Sequence, residues 1–262
     1  MAVLLLCKDD FYVILSIESA VSAKGELFFM WNNIEDMILY EDRDIIVCHK
    51  VAGIAVQSAR IGMPDMESTL KNYLASKKTG TMPYLGIVHR LDQPVEGVLV
   101  FAKNKKAAAG LTGQITSGSV TKEYLAVTDQ KPENVQGHLE DYLKKDGKTN
   151  TSAVVTSKTD RAKKAVLDYK VLNEVSDERT STGKRILVRI QLGTGRHHQI
   201  RVQMAHAGMS LLGDRKYNPE DSSGLPLGLC SCHLVFRHPV TGKKLEFQVT
   251  PKGECFADFP NI

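Results

Sequence analysis

The sequence predicts an α+β fold: a mixed, largely antiparallel sheet with helices packed against it. Three observations lead there. Runs of strand length outnumber helical ones. Strands and helices do not alternate in the regular order of parallel α/β proteins. No internal repeat, low-complexity tract or linker divides the chain into modules.

A chain of 262 residues with 42% hydrophobic and 24% charged residues has the makeup of an ordinary globular protein, large enough to bury a core without covalent staples. Its net charge of +4 permits a polyanionic partner without requiring one, because the distribution of charge matters more than its sum. The five cysteines, Cys7, Cys48, Cys230, Cys232 and Cys255, are odd in number and show no Cys-x-x-Cys spacing. They read as free thiols of a reducing compartment. No run reaches the length of a membrane span, and Lys8, Asp9 and Asp10 cut short the apolar start. A cytoplasmic location is expected.

In chain order, residues 1–35 fit no clear template and are expected to be an N-terminal arm or an extra strand near Phe11–Ile17. Organised sequence, 36–262, begins with a hairpin: Ile38–Tyr40 and Ile45–Cys48 flank the turn 41–44. Met66 to Lys78 has helical spacing with Leu70, Tyr73 and Leu74 on one face, and Asp65 is placed to cap it. Val98 to Ala102 reads as a strand, and the Ala-rich segment from Lys105 to Ile115 as a helix stopped by Ser117-Gly118. Thr121 to Val127 alternates as a strand carrying Lys122 and Tyr124.

Residues 130–165 are the most polar part, with Lys144, Lys145, Lys148, Lys158, Arg161, Lys163 and Lys164. A solvated face and a surface for nucleic acid both fit this run. Within it, Thr151 to Thr156 reads as an edge strand. Val166–Leu172 and Ile186–Leu192 alternate cleanly; Ile186, Val188 and Ile190 share one face, opposite Arg189 and Gln191. Arg196 to Ala207 reads as a helix with Gly208 as its C-terminal cap. Two last strands lie near Leu234–Phe236 and Leu245–Phe247.

Two stretches carry the polar groups that suit chemistry. In the first, apolar runs flank His89, Arg90 and Asp92, closed by Pro94 and Gly97. This is a strand–loop–strand pattern that presents one carboxylate beside a cation. The second, Gly195-Arg-His-His-Gln-Ile-Arg201, follows a buried-looking strand and a Gly-Thr-Gly turn. As a helix it places His197 and Arg201 four apart and His198 and Arg201 three apart, a cationic face over an inward Ile200 and Met204. A site for an anion or carboxylate, a solvated cationic helix and a histidine metal site compete here. The last lacks the carboxylate and spacing of His-Glu-x-x-His sites.

Taken in order, His89-Arg-Leu-Asp92, Gly97–Lys103, Lys122-Glu-Tyr-Leu-Ala126, Gly195–Arg201, Gly213-Asp-Arg-Lys-Tyr217 and His238-Pro239 resemble the RluA-type family of RNA pseudouridine synthases. The resemblance runs from about Ile38 to the C-terminus. It implies a central RNA-binding cleft in the sheet and isomerisation of a uridine in ribosomal or transfer RNA, with no cofactor and no metal. It matches Asp92 to the catalytic aspartate, Tyr124 to the tyrosine against the base, and Arg201 to the arginine paired with the aspartate.

Around these, His89, Arg90, Lys122, Arg196, His198, Gln199 and Leu229 are expected at the substrate. The chain departs from the family pattern at Val95-Glu96 in place of Thr-Ser, at His49-Lys-Val-Ala-Gly53 without its proline, and at Leu229-Cys-Ser231. Glu96 is expected to place a negative charge near Asp92, against an incoming RNA. Residues 1–35 are too short for the S4 RNA-binding domain of many relatives. A monomer acting on RNA is expected; the alternative is an RNA-binding protein that keeps the fold with weak or lost turnover.

Overall fold

A computed structural model describes residues 13–14, 34–58, 63–77 and 82–260. Most of the arm over residues 1–35 falls outside them, but Val13–Ile14 forms a short strand, β1. The chain folds as two compact units. The first comprises residues 1–120 with 233–250, the second 121–232 with 251–262.

In the first unit the expected hairpin is present. β2 (Ile38–Glu41) pairs antiparallel with β3 (Ile45–Lys50), and β3 pairs with β5 (Glu96–Ala102), on which the two-residue β4 (Gly86–Ile87) also pairs. β3 and β5 are buried along their whole length, which explains why they read as continuous apolar runs rather than alternating ones. Asp42 shapes the β2–β3 turn: one carboxylate oxygen accepts the Asp44 and Ile45 N–H groups, and the other accepts from Tyr40 and from His238 Nε2. His238 Nδ1 in turn accepts two backbone N–H groups, from Val240 and Thr241. Asp42, Asp44 and His238 lie close enough to suggest a cation site, yet these bonds, with Asn104 donating to Asp44, use each of them as a staple for the turn.

Helix α1 (Met66–Ser76) is capped by Asp65, whose side chain takes the Ser68 N–H while the Ser68 hydroxyl returns to the Asp65 N–H. Its buried residues are Met66, Leu70 and Leu74, with Tyr73 at the margin, as the spacing predicts. Helix α2 (Lys105–Thr116) is capped by Asn104 and stops at Ser117, with Gly118 in the left-handed region at φ +73°. β12 (Lys244–Gln248) pairs antiparallel with the C-terminal part of β11 (Leu229–Arg237) and parallel with β1.

The second unit is an antiparallel run in the order β6 (Thr121–Thr128), β10 (Lys184–Leu192), β9 (Lys163–Ser176), β7 (Gln136–Asp146), β8 (Thr151–Val155). β8 is the edge, as expected. β7 lies in the polar stretch that shows no strand pattern, since among its residues only Leu143 is buried. Cross-strand pairing to β9 and β8 on both sides holds it extended where its own side chains give little signal.

β10 alternates only from Val188 onward; a bulge between Leu187 and Val188 shifts the register. Before the bulge Arg185 is buried. Its guanidinium binds the Cys255 and Ala257 carbonyls, Asp177 and Asp258, holding the C-terminal segment against the strand.

Candidate active site

The first polar cluster lies wholly in the first unit. Between β4 and β5 the chain makes a turn closed by the Val95 N–H donating to the Asp92 carbonyl at 3.0 Å, with Gln93-Pro94 at its apex. Asp92 itself is half-buried and Arg90 exposed. His89 is anchored to its own scaffold, its Nε2 accepting the Val100 N–H at 3.1 Å.

The turn is clamped to the loop after β3. The Gly53 N–H donates to the Gln93 carbonyl at 2.9 Å, and Gln93 Nε2 donates back to the Gly53 carbonyl at 2.9 Å. Gly53 sits at φ +91°, a conformation that favours glycine. Beneath, Lys50 is fully buried and donates to the Val51, Ile54 and Gln93 carbonyls at 3.1, 2.8 and 3.1 Å. Three acceptors match the three N–H bonds of an ammonium. Burial pushes the Lys50 pKa down to about 7, against the opposing pull of the Asp92 and Glu96 carboxylates.

Glu96 departs from its expected position. It is buried, 3.8 Å from His49 Nε2 and close enough to Lys50 to act on its charge. Its carboxylate is therefore balanced inside the protein and is not presented to an incoming polyanion. Sequence reasoning noted Lys50 only as part of a loop motif. Its role is visible through the carbonyls it gathers, which no spacing encodes.

The second cluster lies wholly in the second unit. The helix expected over Arg196–Ala207 is shorter: α3 runs Gln199–His206. The start is delayed because Gln199 folds back, its side-chain oxygen accepting from Thr194 Oγ1 at 2.7 Å and from the Arg196 N–H at 2.9 Å, while Nε2 donates to the Val166 carbonyl. This side-chain turn competes with a helical start, and His198 takes the left-handed region at φ 52°. His197 therefore lies outside the helix and is not the helical neighbour of Arg201, one turn away, that the spacing predicts. The end is as expected, with Gly208 at φ +73° and the Met209 N–H closing on the Met204 carbonyl.

Nor is α3 a solvated cationic face. Gln199 through Met204 are all buried, Arg201 being 5% exposed. Two bonds to Asp214 hold the guanidinium, Nε to Oδ2 at 2.7 Å and Nη2 to Oδ1 at 2.6 Å. The Tyr217 ring lies 5.2 Å from the Arg201 Cζ. Asp214 Oδ1 also accepts the Lys216 and Tyr217 N–H groups. The Tyr217 hydroxyl accepts the Ser152 N–H from β8 and is hydrogen-bonded to His198 Nδ1, both at 2.8 Å. His197 stacks on His198 with ring centroids 3.8 Å apart, and its Nδ1 bonds the Ser152 hydroxyl.

The remaining expected residues of this unit are placed as follows. Tyr124 is 7% exposed on β6, and Lys122, two residues earlier, is half-buried with burial pushing its pKa below the usual lysine range. Arg196 is exposed and donates Nε to the Lys164 carbonyl at 2.8 Å. Leu229 is buried at the start of β11, followed by buried Cys230 and Ser231. His89, Arg90 and Asp92 thus belong to the first unit, and Lys122, Tyr124, Arg196, His198, Gln199, Arg201 and Leu229 to the second. Sequence reasoning did not find Asp214 or Tyr217 as the holders of Arg201 and His198. Both fall in a quoted motif, but neither the thirteen-residue separation nor the direction of either side chain follows from spacing.

The α+β fold thus holds one clamped carboxylate turn in the first unit and one buried, oriented guanidinium in the second. Residues 44–206 match the profile of the RNA pseudouridylate synthase family. A ribosomal large subunit pseudouridine synthase D of Pseudomonas aeruginosa is 34% identical over 258 residues, 92% of this chain and 75% of that protein. An uncharacterized RNA pseudouridine synthase of Bacillus subtilis is 35% identical over 222 residues, 80% of this chain and 67% of that protein. Among solved structures, human RNA pseudouridylate synthase domain containing 4 superimposes with a TM-score of 0.65 at 23% identity, covering 86% of this chain and 94% of that one, a likeness of fold. The chain belongs to the RluA-type RNA pseudouridine synthase family, and it is an RNA-modifying isomerase.

Proposed function

We propose that this protein converts a defined uridine of a structured RNA to pseudouridine, with Asp92 as the reacting carboxylate. The observation that carries the reading is Asp92 on a turn whose neighbouring carbonyl is held by a buried lysine and a glycine N–H, in a chain of this family. Ribosomal RNA is the favoured substrate class, because relatives 30–34% identical are named as ribosomal large subunit synthases; transfer RNA is the alternative.

The isomerisation balances within the nucleotide. The N1–C1′ bond breaks, the uracil turns, C5 joins C1′, and the proton on C5 leaves while N1 gains one. One ionised carboxylate suffices, attacking the sugar or removing a sugar proton. Arg201 matches the arginine that the family pairs with its aspartate, and Asp214 fixes the direction of the Arg201 guanidinium in advance. Tyr124 is the platform for the base and the candidate acceptor of the C5 proton.

The uridine must be extruded or lie in a loop, since a stacked, paired base cannot be reached. His89 and Arg90 in the first unit, and Lys122, Arg196 and His198 in the second, are the side chains offered to the RNA, whereas Gln199 and Leu229 shape the second unit from within. The protein acts as a monomer in the cytoplasm.

The experiment is pseudouridine mapping on protein-free ribosomal and transfer RNA incubated with the purified chain. New pseudouridine at one or a few defined positions supports the reading. None in either RNA overturns it and leaves the RNA-binding alternative.

A further inference from the structure

The carboxylate that orients Arg201 ends a loop of the second unit, and the backbone of that loop is fixed before Asp214 is reached. The Leu212 N–H donates to the Val127 carbonyl of β6, and the Leu212 carbonyl accepts the Gly228 N–H, both at 2.9 Å. The Gly228 carbonyl in turn accepts the Val127 N–H, also at 2.9 Å. Next to Leu212, Gly213 lies so close to the Pro226 carbonyl that a Cβ has no room there. Residues 226–228 are therefore the wall on which residues 212–214 rest, and Leu229 follows them directly at the start of β11.

That wall has its own support. The buried Cys255 thiol donates to the Pro226 carbonyl at 2.9 Å. The Cys255 Cβ and Sγ both lie 3.3 Å from where a Cβ on Gly228 would stand. Cys255 belongs to segment 254–259, in which Phe256 and Phe259 are buried as well. A thiol bond is weak by itself, so the placement of Cys255 depends on what holds its segment.

Arg185 of β10 holds it. The side chain is 1% exposed, and its Nη1 donates to the Cys255 and Ala257 carbonyls at 2.8 and 2.9 Å. Its Nη2 donates to Asp258 at 2.8 Å, and its Nε stands 2.7 Å from Asp177. The Phe259 ring lies 5.5 Å from its Cζ. On the outside, Arg179 joins Asp177 to Glu254, at 2.7 Å to each. Burying a guanidinium carries a large desolvation penalty, and apolar packing would press a segment down as well. What the fork adds is direction. It fixes the carbonyls of residues 255 and 257 and the carboxylate of residue 258 at once, so the segment cannot slip along β10, and Cys255 stays on Pro226.

We propose that Arg185 and Cys255 are positioning residues for the isomerisation: through residues 226–228 they fix the loop that sets Asp214, and with it the Arg201 guanidinium. The proposal rests on the activity and the use of Arg201 proposed above. Both residues are buried and act only through the backbone they hold.

The test compares the wild-type chain with Arg185→Lys, Cys255→Ala and Cys255→Ser. Leu111→Ala, a cavity variant in α2 of the first unit, controls for lost stability. Turnover on protein-free ribosomal RNA is followed against RNA concentration, at a temperature where circular dichroism shows every variant folded. Solvent exchange of the Arg201 Nε–H, which bonds Asp214, is followed by NMR and assigned by its absence in Arg201→Lys.

Misplacing a catalytic group by about 1 Å costs up to about 10²-fold in rate, so kcat is expected to fall at least about tenfold in Arg185→Lys and about threefold in Cys255→Ala, with KM within about twofold of wild type. Both variants are expected to speed exchange of the Nε–H. Cys255→Ser keeps a donor for the Pro226 carbonyl and is expected to stay close to wild type. Leu111→Ala is expected to keep wild-type kcat and exchange despite a lower denaturant midpoint.

Wild-type kcat in both Arg185→Lys and Cys255→Ala overturns the proposal. So does an equal loss of kcat in Leu111→Ala, or a Cys255→Ser protein as impaired as Cys255→Ala. A loss carried by KM alone also overturns it, since the two residues would then act on RNA binding. The two readings fail separately. Faster Nε–H exchange in Arg185→Lys and Cys255→Ala, beside a wild type that modifies no RNA, removes the proposed activity alone. Normal wild-type turnover, with kcat and exchange indifferent to both substitutions, removes the positioning role alone.

Discussion

Arg201 and Asp214 form a buried bidentate ion pair, two nearly parallel N–H···O bonds of 2.7 and 2.6 Å between α3 and the loop that follows it. The pair sets the plane of the guanidinium before any substrate arrives, and Arg201 is the arginine that the proposed reaction calls on. Removing one partner strands the other charge in the interior. Asp214→Ala is therefore expected to cost about 3–5 kcal/mol of stability, read as a lowered denaturant midpoint. Arg201→Lys keeps the charge but not the fork, and is expected to lose most of kcat while unfolding at a denaturant concentration much closer to wild type.

Tyr217 joins β8 to His198 through one hydroxyl. Tyr217→Phe leaves the Ser152 N–H without this acceptor and His198 Nδ1 without this partner. A loss of about 1–3 kcal/mol follows from the stranded polar groups. Hydrogen exchange at Ser152 is expected to accelerate well beyond what the global loss explains.

Lys50 is expected to make activity and stability sensitive to pH near neutrality. Its folded pKa, about 7, lies below the ordinary lysine value of 10.5. Between the two the unfolded chain binds the proton and the folded one does not, so this group adds stability as pH rises from about 7 toward 10.5 and contributes no slope below 7. The clamp runs the other way: a neutral amine has two N–H bonds for three carbonyls. The turn is expected to loosen as pH passes 7, so kcat falls on the alkaline side while the denaturant midpoint does not. Glu96→Gln removes one carboxylate that holds the Lys50 proton and is expected to shift that kcat limb to lower pH. A limb that stays in place in Glu96→Gln contradicts this account.

Gly213 stands at φ +71°, and a Cβ built there would collide with the Pro226 backbone carbonyl. Gly213→Ala meets both the left-handed conformation and fixed backbone. Little folded protein is expected, measured as the yield of soluble, cooperatively unfolding material.

The parts of the fold legible in the sequence are those whose pattern is local. The β2–β3 hairpin, α1 with its Asp65 cap and α2 with its Ser117-Gly118 stop follow from apolar spacing and turn chemistry over a dozen residues. β7 was not legible, because it is held by neighbours on both sides while its own residues are polar. The start of α3 was misplaced because Gln199 uses its side chain to bond the preceding turn, a competition that helical spacing does not reveal. At the site, ordered motifs identify Asp92, Tyr124 and Arg201 as candidates. What holds them does not appear there: the carbonyls gathered by Lys50 and the reach of Asp214 to Arg201 are contacts made only once the chain is folded.

The central claim is that a single ionised carboxylate on the clamped turn carries the reaction. The most direct measurement is tritium release from ribosomal RNA labelled at uridine C5, under single-turnover conditions, for wild type and Asp92→Asn. Asparagine keeps the shape and removes the charge. The account predicts release by wild type and a loss of at least about 10³-fold in Asp92→Asn, with RNA binding retained. Release at the wild-type rate by Asp92→Asn would contradict it.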